Sequence, residues 1–297
     1  MNRALLFVSI AMVAFAANSL LCRMALVNTS IDPGLFTIIR LMSGALCLLI
    51  LVTITAERPL PSNDTPSKKQ SITSLVTCHG TLWGGISLFV YAVTFSYAYV
   101  SLSTGTGALL LFGAVQLTMI AYGLLHRERF SLLQWIGFLI AIGGLVALLL
   151  PSASAPNPIA ALFMVIAGIA WGAYSLLGRK SHNPLLLTFG NFVYSSLLLI
   201  PLALWMWLSD SVRYDGAGVM YALMSGVLAS GAGYAVWYRA LSLIRATTAA
   251  TVQLSVPVIA TLMGWALLSE PLTLQVALAS GLTLGGISLV IRFGKKA

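Results

Sequence analysis

Long apolar runs separated by short polar breaks dominate the pattern along this chain. A membrane-spanning helix needs about 20 mostly apolar residues. The pattern predicts ten such helices, at 4–22, 35–55, 76–98, 106–125, 132–150, 159–178, 185–207, 217–237, 246–268 and 274–291. The alternation that marks an outer-membrane barrel strand is absent, and stretches such as GALLLFGAVQLTMI are too uniformly apolar for it. Arg3 before the first run has the look of a signal peptide, but nine further spans argue for a retained helix. The expected fold class is an all-α polytopic membrane protein.

The pattern also repeats. Tyr97–Ser131 (YAYVSLSTGTGALLLFGAVQLTMIAYGLLHRERFS) is echoed by Tyr234–Thr273 (YAVWYRALSLIRATTAATVQLSVPVIATLMGWALLSEPLT). Tyr97 aligns with Tyr238, Ala108 with Ala249 and Gly123 with Gly264, all at an offset of 141. After a one-residue slip, Glu128 meets Glu270 and Gly143-Gly144 meets Gly285-Gly286. Nearer the start of each copy, AFAANSLLCR (Ala14 to Arg23) matches AWGAYSLLGR (Ala170 to Arg179). Two copies of one unit are expected, 1–150 and 151–297, rather than a short-period solenoid. Five spans per copy is an odd number, so the second copy lies inverted in the membrane. Inverted repeats around a central cavity are a plan of secondary transporters, with substrate held between the copies near the midplane.

Composition excludes a soluble fold. Of the 297 residues 59% are hydrophobic and 8% charged, with mean hydropathy +0.96, against about 25% charged in globular domains. The net charge of +9 loses its nucleic-acid meaning once mapped: 13 of the 16 Lys and Arg fall in segments on the N-terminal side of the membrane. Only Arg23 and Arg213 fall in the opposite loops, and Arg40 lies within a span. The positive-inside rule then puts both termini in the cytoplasm, and the excess charge serves topology and anionic headgroups. Cys22, Cys47 and Cys78 show no metal-type spacing. Nucleotide-binding and hydrolase motifs are absent. All seven carboxylates sit in loops or at helix ends, which disfavours a carboxylate relay. No enzyme activity, cofactor or metal is expected.

Candidate site residues are the polar and aromatic groups inside spans. Asn18, and Trp171 and Tyr174 on a matching face of helix 6, either line a cavity or pack between helices. Ser19 and Ser175 read as close-packing residues. Arg40 either holds a substrate carboxylate or snorkels and ties down helix-end carbonyls. His79, Trp83, Ser87 and Tyr91 recur every four residues along helix 3, with His79 meeting water at the inner end or relaying protons. Gln116 in helix 4 occupies the slot of Pro257 in helix 9, beside Gln253. Trp237 near the inner end of helix 8 is a ligand or an interfacial anchor. The polar segment 56–74 reads as an inside linker, and helices 5 and 10, with their glycine pairs, as peripheral scaffold or a weak homodimer face.

These spans, the WGAYSLLGR start of helix 6 and the YRALSLIRATTAATVQLSVPVIATLMGWALLSEPLT stretch resemble the EamA domains of the drug/metabolite transporter superfamily, over nearly the whole chain. LLLFGAVQLTMIAYGLLHRERFS is similar to the YddG-type exporters of aromatic and other neutral amino acids. The resemblance implies a cavity lined by helices 1–4 and 6–9, an inner-membrane location and outward transport without ATP. The candidate set is Asn18, Arg40, His79, Gln116, Trp171, Tyr174, Trp237 and Gln253, for a zwitterion with an apolar or aromatic side chain. The alternatives are a broader drug, nucleoside or metabolite carrier and, from another class, a non-transporting scaffold or receptor.

Overall fold

The computed structural model describes residues 3–56, 80–126, 130–150, 155–178, 181, 183–209, 212–241, 243–244 and 252–293. His79, Cys78, Glu128 and most of the 56–74 linker lie outside the described residues. Within them are ten helices: α1 (Arg3–Asn28), α2 (Pro33–Ala56), α3 (Leu82–Tyr99), α4 (Thr104–Leu125), α5 (Leu132–Leu149), α6 (Pro158–Gly178), α7 (Pro184–Leu197, then Leu199–Leu208), α8 (Gly216–Met224, Ser225–Ala232 and Gly233–Leu241), α9 (Ser255–Leu268) and α10 (Leu274–Arg292). Nine spans are long and apolar enough to cross a bilayer, and Ser255–Leu268 is a shorter apolar helix. The chain is a multi-pass, all-helical membrane protein.

The polar breaks in the sequence work as caps. Thr81, Ser103, Ser131, Asn183, Asp215 and Thr273 each turn a side-chain oxygen onto a free N–H of the first turn that follows. At α5 the cap is reciprocal, because Gln134 also accepts from Ser131 N.

Four elements depart from the expected spans. α1 runs on to Asn28, so Arg23 lies in its last turns and not in a loop. The charge is tolerated there because it is paired across the fold. α7 breaks at Leu198, where Pro201 supplies no N–H for the carbonyl of Leu197. α8 widens into a π-helix over Ser225–Ala232. There Gly226 lies against Ser43 and the carbonyl of Arg40, and Gly231 against Cys47, so α2 comes in too close for any larger side chain. In the ninth span the helix restarts at Ser255, which leaves Pro257 in a first turn where its missing N–H costs little. Helix α4, with Gln116 at the matching place, is unbroken.

The most extensive helix contacts are matched when each helix is exchanged for the one five places along. α3 packs on α6 and α7, as α8 packs on α1 and α2; α4 packs on α6, as α9 packs on α1. The pairs α2–α7, α4–α9 and α5–α10 map onto themselves. Each of the last two pairs is antiparallel. Thr104 and Gly105 at the start of α4 meet Gly264 and Thr261 late in α9. Gln134 Nε2, near the start of α5, donates to Val290 O at 3.4 Å, and Gln275, near the start of α10, donates to Ala147 O at 3.0 Å and Leu148 O at 3.1 Å. Helices that correspond in the two copies therefore run in opposite directions. The glycine pairs of α5 and α10 divide their work: Gly144 and Gly286 fit the α5–α10 contact, while Gly143 and Gly285 face open space.

Candidate functional site

The symmetry brings five helices to one enclosed space. Phe15, Asn18 and Ser19 enter from α1, Tyr91 and Phe95 from α3, Leu111 and Phe112 from α4, Trp171 from α6, and Ala229 and Tyr234 from α8. α2, α7 and α9 contribute no wall residue, although the family resemblance implied them. The space is about 20 Å³, enough for one water.

Trp171 stands at the centre. It stacks on Tyr174 at 5.2 Å and on Tyr234 at 5.2 Å, and its ring lies 4.9 Å from that of Tyr91. Phe15 meets Tyr234 and Trp237 edge-on at 5.9 and 5.8 Å. Polar contacts hold this wall in place. Ser225 Oγ donates to Asn18 Oδ1 at 2.6 Å, and Asn18 Nδ2 donates to Tyr91 Oη at 3.3 Å. The Tyr174 hydroxyl reaches Thr188 Oγ1 at 3.5 Å. Asn18 therefore orients a wall tyrosine and joins α1, α3 and α8.

Arg40 is 2% exposed and sits behind that wall. Its guanidinium lies 4.9 Å from the ring of Phe95, 5.5 Å from Tyr91 and 6.0 Å from Phe36. Nη2 donates to Ala92 O at 3.2 Å, and Nη1 is buried with no partner. Of the two readings of Arg40, the tie to a helix carbonyl is thus present for one nitrogen only.

At the end of the space where α1 and α3 finish, an ion pair crosses between the copies. Arg23 Nε meets Glu270 Oε1 at 3.3 Å, and Arg23 Nη1 donates to Tyr99 O and Val100 O, each at 2.9 Å. Glu270 also accepts from Thr104 N at 2.8 and 3.0 Å. Ser269, with φ of 53°, turns the chain so that Glu270 can reach this position.

Of the eight candidates, Asn18 and Trp171 are on the wall, Tyr174 and Trp237 are one ring behind it, and Arg40 is behind Tyr91 and Phe95. Gln116 is buried away from the space and Gln253 is half-buried away from it. His79 lies outside the described residues. Trp83, on the helix 3 stripe, is 70% exposed on the outer surface. Phe15, Phe95 and Phe112 carry no polar atom that demands a partner, and Tyr234, like Trp237, reads from the sequence as either an anchor or a ligand. One signal existed for Phe15: in the aligned segments AFAANSLLCR and AWGAYSLLGR it occupies the place of Trp171.

The model of the EamA-like transporter family matches this chain twice, over residues 2–150 and 158–292. The chain belongs to the EamA-like transporter family. The two matches part between the end of α5 and the start of α6. The chain is 50% identical to the uncharacterized protein PA1977 of Pseudomonas aeruginosa over 100% of its own length and 98% of that protein's. It is 30% identical to an uncharacterized transporter of Archaeoglobus fulgidus over 70% of this chain and 75% of the relative. To the uncharacterized transporter YoaV of Bacillus subtilis it is 23% identical over 86% of each. A solved crystal structure superposes on it with a TM-score of 0.61, covering 99% of both chains at 17% identity, a likeness of fold. This EamA protein is thus a membrane transporter, and none of these relatives' names states a cargo.

Proposed function

We propose that this EamA transporter exports aromatic and other neutral amino acids across the inner membrane by alternating access, without ATP, with both termini in the cytoplasm. The observation that carries the reading is the Trp171 cluster. Trp171 with Tyr91 and Tyr234, from α6, α3 and α8, lines a space between the two copies, and Tyr174 stacks on Trp171 from behind. Such faces stack on an aromatic side chain and attract an ammonium group by about 0.5–2 kcal/mol. A space of about 20 Å³ is too small for an amino acid, so cargo has to part the rings, as it would on leaving a closed state for an open one.

Exchange of labelled phenylalanine or tryptophan against an unlabelled internal pool, in liposomes carrying the purified protein, tests this. Exchange above empty liposomes is expected, and competition by unlabelled aromatic amino acids. Absence of exchange with both amino acids sinks the reading. The broader carrier is favoured by the wall itself, in which eight of ten residues are apolar or aromatic. Competition by uncharged planar compounds as strong as that by phenylalanine would select it.

A further inference from the structure

We infer that Arg40 is the site for a carboxylate on the cargo, and that this protein therefore selects aryl carboxylates whether or not they carry an amino group. The inference rests on the aromatic cargo proposed above and names the second half of its recognition.

Nη1 of Arg40 is buried with no partner, and the residue, eighth of the 24 in a spanning helix, is 2% exposed. Among the described residues no carboxylate is free to meet it. Of the three carboxylates among the described residues, Asp32 accepts from Gly34 N, Asp215 from Gly218 N, and Glu270 from Thr104 N and Arg23. A charge held in low dielectric without a counter-ion is costly, and such groups in transporters face a substrate path. The guanidinium offers several donors in a fixed plane that match a carboxylate.

Two wall residues carry its charge on their rings: the guanidinium lies 4.9 Å from Phe95 and 5.5 Å from Tyr91. Cargo must displace wall rings to fit at all, and displacing these two uncovers Arg40. The site is one-sided. At the corresponding place in the second copy stands Asn191, whose Oδ1 is already taken by Thr81 N at 2.8 Å. Cargo would thus lie with its ring on Trp171 and its carboxylate toward α2. No described wall residue carries a negative charge, so nothing pairs an ammonium as Arg40 pairs a carboxylate.

Three ligands separate these contributions: phenylalanine, 3-phenylpropanoate, which lacks the amine, and phenethylamine, which lacks the carboxylate. Competition against labelled phenylalanine and thermal stabilisation of purified protein are both read. Phenylalanine and 3-phenylpropanoate are expected to bind within a few-fold of each other, and phenethylamine roughly thirtyfold or more weaker. Arg40→Gln is expected to lose a similar factor for both carboxylates and little for the amine, with Arg40→Lys in between. Equal binding of phenethylamine and phenylalanine by the wild-type protein overturns the inference, and needs no variant. Unchanged exchange by a folded Arg40→Gln overturns it too, while leaving the proposed amino-acid export intact. Binding of none of the three removes both.

Discussion

Glu270, between α9 and α10 of the second copy, caps a helix of the first, its carboxylate accepting from Thr104 N at 2.8 and 3.0 Å. A negative group at a helix start meets free N–H groups and the positive end of the dipole, and Arg23 holds it there from α1. Glu270→Gln is expected to cost about 1–2 kcal/mol through the lost charged cap. In a protein of this size that corresponds to a fall of a few degrees in melting temperature, roughly 2–4 °C per kcal/mol. Because both changes break one contact, Arg23→Gln on top of Glu270→Gln should add less than Arg23→Gln alone. Full additivity would show that the ion pair contributes nothing.

Replacing Gly226 by alanine should destabilise the fold by about 1–3 kcal/mol, since the added carbon meets Ser43 and the Arg40 backbone. Gly285→Ala, where the same carbon meets open space, should be neutral or stabilising by about 0.5–1 kcal/mol. Folded yield and melting temperature of the two variants, compared side by side, check the contrast.

Trp171→Ala removes three ring contacts from the cavity wall. Each is worth about 0.5–1.5 kcal/mol beyond burial, so exchange of aromatic cargo should weaken roughly tenfold or more. Tyr174→Ala, which removes the ring stacked on Trp171 from behind the wall, should weaken it less. Transport unchanged in both, at normal expression, would move the site elsewhere.

Single cysteines at His126 and Leu272, in a protein freed of its own three, should react from opposite sides of the membrane with an impermeant maleimide. The first is expected to be cytoplasmic and the second external. Labelling of both from one side would contradict the inverted arrangement.

Much of this architecture could be read from residue types alone because lipid restricts what can span it. Ten runs and the lopsided Lys and Arg were sufficient for the helices and their expected direction. Contacts distant along the chain were not readable. Arg23 looked like a loop residue because Glu270, its partner, lies 247 residues away. The π-helical stretch of α8 lies where α2 closely approaches Gly226, a contact that no period in the sequence records. In the site, polarity was an uneven guide. It pointed to Asn18, which lines the space, and to Arg40, which lies against the wall rings Tyr91 and Phe95, but it also drew attention to Gln116 and Gln253, which lie off the wall. Phe15 and Phe95 have no polar group to betray them, and only the repeat alignment hinted at the first.

Interlacing of the copies decides which parts can move together. With α1 gripped by α8 and α9, and α6 by α3 and α4, neither stretch of sequence is free to swing as a block. Under the alternating access proposed above, the expected movers are composites, α1, α2, α8 and α9 on one side and α3, α4, α6 and α7 on the other, each borrowing from both copies. Trp171 and Phe15 then ride on opposite movers. Opening would slide one aromatic face past its mirror counterpart, with the α5–α10 pair standing aside as a fixed spine.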